Sequence, residues 1–492
     1  MDEKLGEFLS NFNRAIELSR EHLTRNDGRE RILDVLTEHI GVPAADVPIV
    51  SQDVPVHRFA DLDISLEKIA GRDPAARLIG VGGGQQRQHQ SLADIVLEGY
   101  GPVGIGQPDF VNLAVGPEST REVVALGLRL FAYEGVPLAV LQRAANPQYG
   151  RSGADVAVLG RNREASVGFL AELQEELRTN SILRGQVVSF AFDPYGQQGA
   201  GVTFLARPSL PAEEVILPGE VLDRVRRHVL GIAANREVLR EHGQHLKRGV
   251  LLYGPPGTGK THTVRHLLSA SEGTTAVLLA GNSLHMVGEA ARLARAMAPS
   301  MVILEDIDLV AEDRNMGHGP QPLLFEVLDA LDGLDADADV VFLMTTNRAE
   351  ALERALVQRP GRVDLAVRIP LPGVENRVRL LELYAPAGVF SDAALQAAAE
   401  QSEGATASFA RELVRRAVLR AVDAGEKPGD SHLAAAAQEL MGQGEALTRS
   451  LLGAGGDGSG DDDGGAGSAG FGHGGAGPQP GVSVGYTFGW MP

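Results

Sequence analysis

Residues 249–261 read GVLLYGPPGTGKT. The mostly apolar opening predicts a buried strand, and the residues that follow have the pattern of a helix. Between them, GPPGTGKT fits the pattern G-x-x-x-x-G-K-[ST] in the strand–loop–helix context that this motif requires. A glycine-rich turn alone would not explain why Lys260 and Thr261 follow it. The stretch therefore predicts a phosphate-binding loop within an α/β fold.

The residue types of this loop suit a nucleoside triphosphate. Its glycines let backbone N–H groups approach phosphate oxygens, and the N-terminal end of the following helix adds positive potential. Lys260 can place its ammonium against the β- and γ-phosphates, while the Thr261 hydroxyl completes a Mg²⁺ site. The candidate nucleotide-binding residues are Gly254, Pro255, Pro256, Gly257, Thr258, Gly259, Lys260, Thr261 and His262.

A second apolar stretch, MVILEDIDLV at 301–310, delivers acids to the edge of the same predicted sheet. Ligands of open α/β sheets bind at the carboxyl ends of the strands, where Glu305 and Asp306 would lie. A phosphate loop needs one carboxylate to hold Mg²⁺ and an acid to polarise the attacking water. These two residues are the candidates.

The rest of the chain is predicted to form further units. Strands at 249–253, 275–280, 301–305 and 340–345 alternate with helices, which predicts a parallel sheet with helices on both faces. We expect a helical and irregular N-terminal region at 1–107, a separate α+β domain at 108–210, the α/β domain at 211–375, a helical lid at 376–452 and a Gly-rich disordered tail at 453–492.

Within the N-terminal half, the expectations are more local. Residues 3–41 predict two amphipathic helices, and 80–90 (GVGGGQQRQHQ) predict a flexible loop rather than a second phosphate loop. The α+β domain is expected to contain helices near 118–133 and 163–181, with short strands that include QVVSFAF and VTFLA.

Composition limits the function classes. The 492 residues carry a net charge of −19, which argues against a general nucleic-acid or anionic-membrane surface. The absence of cysteine excludes disulfides, thiolate zinc sites and cysteine nucleophiles. The charged start and the lack of a long apolar run predict a soluble cytoplasmic protein without a membrane span.

Residues from about 213 to 422 resemble the AAA+ ATPases, and within them the AAA group of protein-remodelling machines. GPPGTGKT resembles their first phosphate motif residue for residue. Their second motif usually ends in DEID, whereas this chain has EDID. By position, the resemblance implies that Glu305 coordinates Mg²⁺ and Asp306 activates water. Because the order of the acids is reversed, side-chain length leaves this division of labour open. Asp308 is expected to be structural.

The resemblance extends to residues further along the chain. VVFLMTTNRAE resembles the strand that ends in a polar sensor, which makes Asn347 a candidate to orient the water or to contact the γ-phosphate. ALVQRPGRVD resembles the segment in which two arginines reach the nucleotide of the next subunit, so Arg359 and Arg362 are candidate arginine fingers. LDALDGL at 328–334 resembles an inter-subunit signalling segment.

Some segments depart from the family pattern. The substrate-gripping triplet of an aromatic, an aliphatic and a glycine appears as Met286-Val287-Gly288, in a segment shorter than usual. Met286 could grip apolar substrate or simply pack in the core. Ser408 lies where other AAA+ groups place a lid arginine. No HExxH motif is present, which excludes a fused zinc protease of that type.

The resemblance implies an ATP- and Mg²⁺-dependent ATPase that remodels or unfolds protein as a homo-oligomeric ring, with a hexamer expected. The N-terminal domains would recruit a protein substrate or adaptor, and the tail could dock a partner. The alternative is an ATP-driven switch or assembly factor that threads nothing. A DNA-acting loader is disfavoured by the charge.

Overall fold

The computed structural model describes residues 30–99, 101–151, 153–190, 201–308, 338–348 and 363–442, together with Arg14 and Ala330. Within these ranges the strands form two separate seven-stranded sheets. No described helix combines the length and apolar character needed to cross a membrane.

The first sheet is built from residues 49–160, and all of its strand pairs are antiparallel. Its order is β1-β7-β6-β5-β2-β3, with β4 paired to β5 beside this path. The strands are β1 (Ile49–Val54), β2 (Arg77–Val81), β3 (Ile105–Gly106), β4 (Asp109–Ala114), β5 (Thr120–Tyr133), β6 (Val136–Arg143) and β7 (Ala154–Gly160).

Helices cover both faces of this sheet. They are α1 (Ile32–Ile40), α2 (Phe59–Ala70), α3 (Leu92–Val96) and α4 (Arg163–Thr179). The period of two along β5 divides its side chains, because Phe131 packs with α2 and α4 while Leu128 and Leu130 pack with α1 and α3. The helix expected at 163–181 is therefore present as α4.

Three expectations for this half are wrong. In place of the helix expected near 118–133, residues 120–133 form strand β5, because pairing with β6 on one edge and with β4 and β2 on the other overrides the helix propensity of their Ala, Leu and Glu. Within the region 1–107, which was expected to be helical and irregular, residues 49–81 instead supply β1, α2 and β2. The stretch 80–90 is not a structureless loop: it completes β2 and continues as a 3₁₀ helix at 84–88, where Arg87 bonds Asp109.

The second sheet has the order β14-β10-β13-β12-β11-β8-β9. All neighbours are parallel except β8 and β9, and its central strands are buried from end to end, as in parallel sheets with helices on both faces. The strands are β8 (Val187–Phe190), β9 (Val202–Leu205), β10 (Arg248–Tyr253), β11 (Thr275–Ala280), β12 (Ser300–Glu305), β13 (Val340–Thr346) and β14 (Leu365–Arg368).

Strands β8 and β9 correct the expected domain boundary near residue 210. Val187 pairs with Ala276 of β11, and β9 extends the sheet beyond β8. QVVSFAF and VTFLA therefore belong to the second sheet rather than to the preceding α+β domain. The spacing of the strands along the chain did not reveal this, because a short apolar strand fits the edge of either sheet.

Helices of the second half connect and cover this sheet. They are α5 (Val221–Arg226), α6 (Ile232–Ala234), α7 (Arg236–Glu241), α8 (Lys260–Ser269) and α9 (Val287–Ala296). A π-helical turn at 227–231 joins α5 to α6, and a 3₁₀ turn at 281–286 precedes α9.

A helical unit follows the sheet within the described residues 363–442. Its helices are α10 (Val374–Tyr384), α11 (Asp392–Gln401), α12 (Ala407–Asp423) and α13 (Asp430–Met441). They share one apolar core, which also includes Ile216 from the connector before α5. The connector therefore ties this helical unit to the second sheet.

Candidate functional site

The predicted phosphate loop lies between β10 and α8. Gly254, Gly257 and Gly259 all have positive φ angles, of 147°, 74° and 107°. A Cβ on Gly254 would lie 2.2 Å from the backbone oxygen of Ile369, so only glycine fits there. The loop can turn its N–H groups toward an anion, beside the N-terminal end of α8.

Lys260 is buried at the start of α8. Its Nζ donates to the carbonyl oxygens of Gly254 and Pro255, at 2.7 and 2.8 Å. Burial lowers the pKa of Lys260 to about 8, although the negative charges of Asp306 and Asp308 act in the opposite direction. The ammonium therefore lies between the loop and the acids of the strand ends.

Glu305 lies at the end of β12, beside Thr261. Its carboxylate accepts a hydrogen bond from the Thr261 hydroxyl. Its Oε1 is buried and has no hydrogen-bond partner among the described residues. Burial raises the pKa of Glu305, and the neighbouring charge of Asp306 raises it further. An unpartnered buried carboxylate oxygen next to a hydroxyl is a donor set that fits Mg²⁺.

Asp306 has a different environment. Its φ angle of 49° is rare for a residue with a side chain, and its N–H donates to Thr345 Oγ1 at 3.0 Å. Asn347 Nδ2 donates to Asp306 Oδ1 at 3.3 Å. The pKa of Asp306 is raised by burial and by Asp308. The structure therefore brings the predicted acid and the predicted sensor into direct contact.

Asp308 serves the backbone of the neighbouring strand. Its Oδ1 accepts hydrogen bonds from Thr346 Oγ1 at 2.9 Å and from the N–H of Asn347 at 3.1 Å. These contacts fix the chain at the residue that meets Asp306, which agrees with the expected structural role.

A pocket of about 360 Å³ joins these elements. Its lining comes from the phosphate loop, from Asp306 and Asn347, from the connector before α5, and from helices α10 and α12 of the lid. His262, a candidate nucleotide-binding residue, belongs to this lining.

Sequence reasoning missed several pocket residues, namely Glu214, Leu217, Leu380, Tyr384 and Arg411. Helical periodicity shows that α10 and α12 each have an apolar face, but not that the first turn of α12 faces the phosphate loop. The Ala407 N–H donates to the Gly257 oxygen at 3.1 Å across this junction. The usable signal was the segment around Ser408 (GATASF, 404–409), whose resemblance to the lid of AAA+ proteins predicts proximity to the nucleotide but no individual contact.

Met286 packs against the core of the second sheet and is half-buried. Val287, which follows it, is almost fully buried. Of the two roles that the sequence left open for Met286, packing is the one that these contacts support.

Other predicted residues lie outside the described part of the chain. They are the candidate fingers Arg359 and Arg362, most of the segment 328–334, and the tail at 453–492. Within the described residues, no group of three or more His, Asp or Glu side chains forms a metal site.

Comparison with known proteins agrees with this geometry. Residues 250–371 match the model of the ATPase family associated with various cellular activities (AAA). The chain is 32% identical to the proteasome-activating nucleotidase of Methanosphaerula palustris over 203 residues, which cover 39% of this chain and 49% of that protein.

Two further relatives match over similar or shorter stretches. The proteasome-activating nucleotidase of Saccharolobus solfataricus is 33% identical over 37% of this chain and 49% of its own length. A probable 26S proteasome regulatory subunit 4 of Caenorhabditis elegans is 36% identical over 30% of this chain and 36% of its own length. The chain thus spans about half or less of the length of these curated relatives.

Proposed function

We propose that this chain, which carries an AAA ATPase domain at residues 250–371, binds ATP and hydrolyses it to ADP and phosphate. The observation that carries the proposal is the contact between Asp306 and Asn347 at two adjacent strand ends, next to the buried Lys260. Asp306 would accept a proton from the attacking water, and Asn347 would fix the direction of the carboxylate.

Mg²⁺ would be held by Thr261 and Glu305, together with phosphate oxygens. The metal supplies charge neutralisation at the β- and γ-phosphates. On the protein side, the Thr261–Glu305 hydrogen bond and the unpartnered Glu305 Oε1 support this assignment.

We further propose that the ATPase works as a homo-oligomeric ring, expected to be a hexamer, that remodels or unfolds protein. The names of the relatives, proteasome-activating nucleotidases and a proteasome regulatory subunit, support an association with protein unfolding. Arg359 and Arg362 would act on the nucleotide of the adjacent subunit, and the domain of the first sheet would recruit a protein substrate or adaptor.

A complementation assay tests turnover in trans. Lys260→Ala protein keeps its arginines but loses its own site, whereas Arg362→Ala protein keeps its site but cannot serve its neighbour. Each variant alone is expected to be inactive. An equal mixture should recover about one quarter of the wild-type rate of phosphate release, because about that fraction of interfaces pairs an intact site with an intact arginine. No recovery from variants that do co-assemble would contradict the trans arrangement.

A second candidate function, an ATP-driven switch that threads nothing, is favoured by two observations. The first is the packing of Met286 in the core. The second is a contact between the two sheet domains at helix α9, which begins one residue after Met286. We call it the α9 contact and define it by His57, Ile182, Arg184, Phe190 and Glu289.

The α9 contact reaches both ends of that helix. Near its start, His57 Nδ1 lies 3.5 Å from Glu289 Oε1, and the His57 ring packs edge-on against Phe190. Near its end, Arg184 donates to the carbonyl oxygens of Ala296 and Ala298, at 3.1 and 3.2 Å.

The α9 contact also includes apolar packing by Ile182 and the buried ring of His57. Ile182 packs against the cores of both sheets. Burial lowers the pKa of His57 to about 4, with Glu289 acting in the opposite direction, so the ring is neutral near pH 7. A nucleotide-driven shift of α9 would therefore be passed directly to the first domain.

Two glycine substitutions test whether the two sheet domains are coupled through the α9 contact or are only loosely tethered to each other. A Cβ on Gly201 would lie 2.9 Å from the backbone nitrogen of His57, whereas one on Gly219 meets nothing within 4 Å. Both residues have positive φ, at 60° and 55°, so backbone strain is matched. Gly201→Ala should abolish the difference in amide exchange at residues 49–70 between the ADP and ATP states, and Gly219→Ala should preserve it.

The same assay has a clear opposing outcome. If the wild type shows no nucleotide-dependent difference in amide exchange at residues 49–70, the α9 contact transmits no change and the switch hypothesis is wrong.

The motor hypothesis is tested separately by ATP-dependent unfolding of a tagged model substrate, comparing wild type with Met286→Ala. Unfolding by wild type that Met286→Ala abolishes would favour the gripping role over packing.

A further inference from the structure

Residues 482–490 read VSVGYTFGW and alternate strictly in character. Every second residue, from Val482 to Trp490, is a valine or an aromatic, and the residues between them are serine, threonine or glycine. A period of two is the pattern of a β-strand with one apolar face. The segment lies outside the described part of the chain, and the stretch before it, 453–481, contains Phe471 as its one large apolar side chain. A strand here therefore needs a sheet elsewhere to pack on.

Strand β4 offers such a sheet edge. It pairs with β5 along its whole length and, among the described residues, has no strand on its other side. Its six residues, Asp109–Ala114, are enough to pair with most of the segment. An unpaired edge presents a row of backbone N–H and C=O groups to which a further strand can add.

The other edge strands of the two described sheets are less suited to this pairing. Strand β3 has two residues, and β9 and β14 have four each. Strand β1 has six, but it exposes Ser51 and the charge of Asp53, and charged side chains are a common protection of sheet edges. Strand β4 instead exposes Phe110, which is 49% accessible. It is therefore the long edge that carries an apolar side chain without a charge beside it on the same face.

The two faces of β4 match the two faces of the segment. On one face, Leu113 is buried in the core shared with α2 and α4, whereas Val111 packs against that core and is only half-buried. A strand that places valines and aromatics on this side extends the core beyond Val111. On the other face, Phe110 and Asn112 are exposed, and the glycines and small polar residues of the segment leave room for the Phe110 ring.

We propose that residues 482–490 add to the free edge of β4 in the same chain as a further strand, with their apolar row on the side of α2 and α4. The Gly-rich stretch 453–481 serves as the tether, and chains of this composition and length span on the order of 30 Å. Tethering raises the effective concentration of the segment toward the millimolar range. The added strand closes the edge to other extended polypeptides. This contact is separate from the proposed nucleotide site and goes beyond ATP hydrolysis.

Amide exchange of the full chain and of a variant that ends at Pro480 tests the contact. Removing the segment should raise exchange at residues 110–114 about tenfold or more, because the outward N–H groups lose their acceptors. Exchange at 49–54 in β1, the matched edge, should not change. Tyr486→Ser combined with Phe488→Ser should act like the truncation, whereas Thr487→Ala, on the opposite face, should have no effect.

The absence of cysteine permits a direct test by disulfide formation. In Asn112→Cys protein, a second substitution, Ser483→Cys or Thr487→Cys, should give an intramolecular disulfide in at least one case, because cross-strand neighbours on one face have the required Cβ separation. Tyr486→Cys, on the other face, should give none. Ser51→Cys replaces Asn112→Cys in the control series on β1 and should also give none. Non-reducing electrophoresis separates linked monomers from linked dimers.

Three results would overturn the proposal. The first is exchange at 110–114 that the truncation leaves unchanged. The second is equal disulfide formation with Ser51→Cys, which would show unspecific collapse of the segment onto sheet edges. The third is disulfides that join two chains, which would place the segment on another copy. The truncated variant should bind ATP like wild type, so a failure of both proteins to bind ATP would refute the proposed function and leave this contact standing.

Discussion

Lys260→Ala protein is expected to bind ATP at least about 100-fold more weakly than wild type, and to show no turnover. The ammonium is buried at the start of α8 and donates to two oxygens of the loop that would hold the phosphates. Removing it leaves the loop glycines in place but deletes the positive charge nearest to the β- and γ-phosphates. Isothermal titration with ATPγS measures the loss. Lys427→Ala, which removes an exposed lysine of the lid, is the control and should bind normally.

The pH dependence of wild-type binding provides an independent check on the same residue. Burial lowers the pKa of Lys260 to about 8, whereas bound phosphates would stabilise its charged form. Below that pH the ammonium is already charged, and above it binding must take up a proton. ATPγS affinity should therefore fall as pH rises from 7 to 9. Affinity that is flat across this range would show that the charge of Lys260 does not assist binding.

The loss of binding should not come from unfolding. Because the folded-state pKa of Lys260 is lowered, its buried charge opposes folding below about pH 8, and this opposition fades as pH rises toward the ordinary value. Removing the charge relieves that opposition at pH 7. The unfolding temperature of Lys260→Ala should stay close to that of wild type. A large drop would attribute the binding loss to the fold instead.

The centre of the site was predictable because its chemistry is local. The strand, loop and helix around Lys260 are adjacent in the chain, so one motif predicts all three. The meeting of Asp306 with Asn347 followed from a simple rule, since the carboxyl ends of neighbouring parallel strands lie at one edge of a sheet. The structure adds what no pattern supplies, such as the 49° φ angle of Asp306.

The errors arose where distant parts of the chain decide the structure. The residue types at 120–133 favour a helix. Backbone pairing with β4 on one edge and with β6 on the other nevertheless makes this segment a strand. Strands β8 and β9 belong to the second sheet because β8 pairs with β11, whose partner residues lie 89 positions further along the chain, and β9 pairs with β8. The pocket face of α12, with Arg411, depends on how the lid meets the loop. Such contacts leave little trace in local periodicity.

The division of labour between Glu305 and Asp306 gives the second large prediction. Glu305 is bonded to Thr261 and has a buried, unpartnered oxygen, whereas Asp306 is bonded to Asn347. These contacts support the assignment by position, with the metal at Glu305 and water activation at Asp306. The reversed order of the two acids therefore does not require an exchange of their roles. The 49° φ angle of Asp306 directs its shorter side chain differently from the side chain of Glu305.

The two amide variants should consequently fail in different ways. Asp306→Asn is expected to bind ATP and Mg²⁺ normally while kcat falls at least about 100-fold, since the amide cannot accept the proton. Glu305→Gln should instead require several-fold more Mg²⁺ for half-maximal turnover. Mg²⁺ titrations of binding and of phosphate release measure both effects, with Glu272→Gln as an exposed control on the same domain. If Glu305→Gln traps bound ATP and Asp306→Asn weakens Mg²⁺ binding, the roles are exchanged and side-chain length, not backbone direction, decides them.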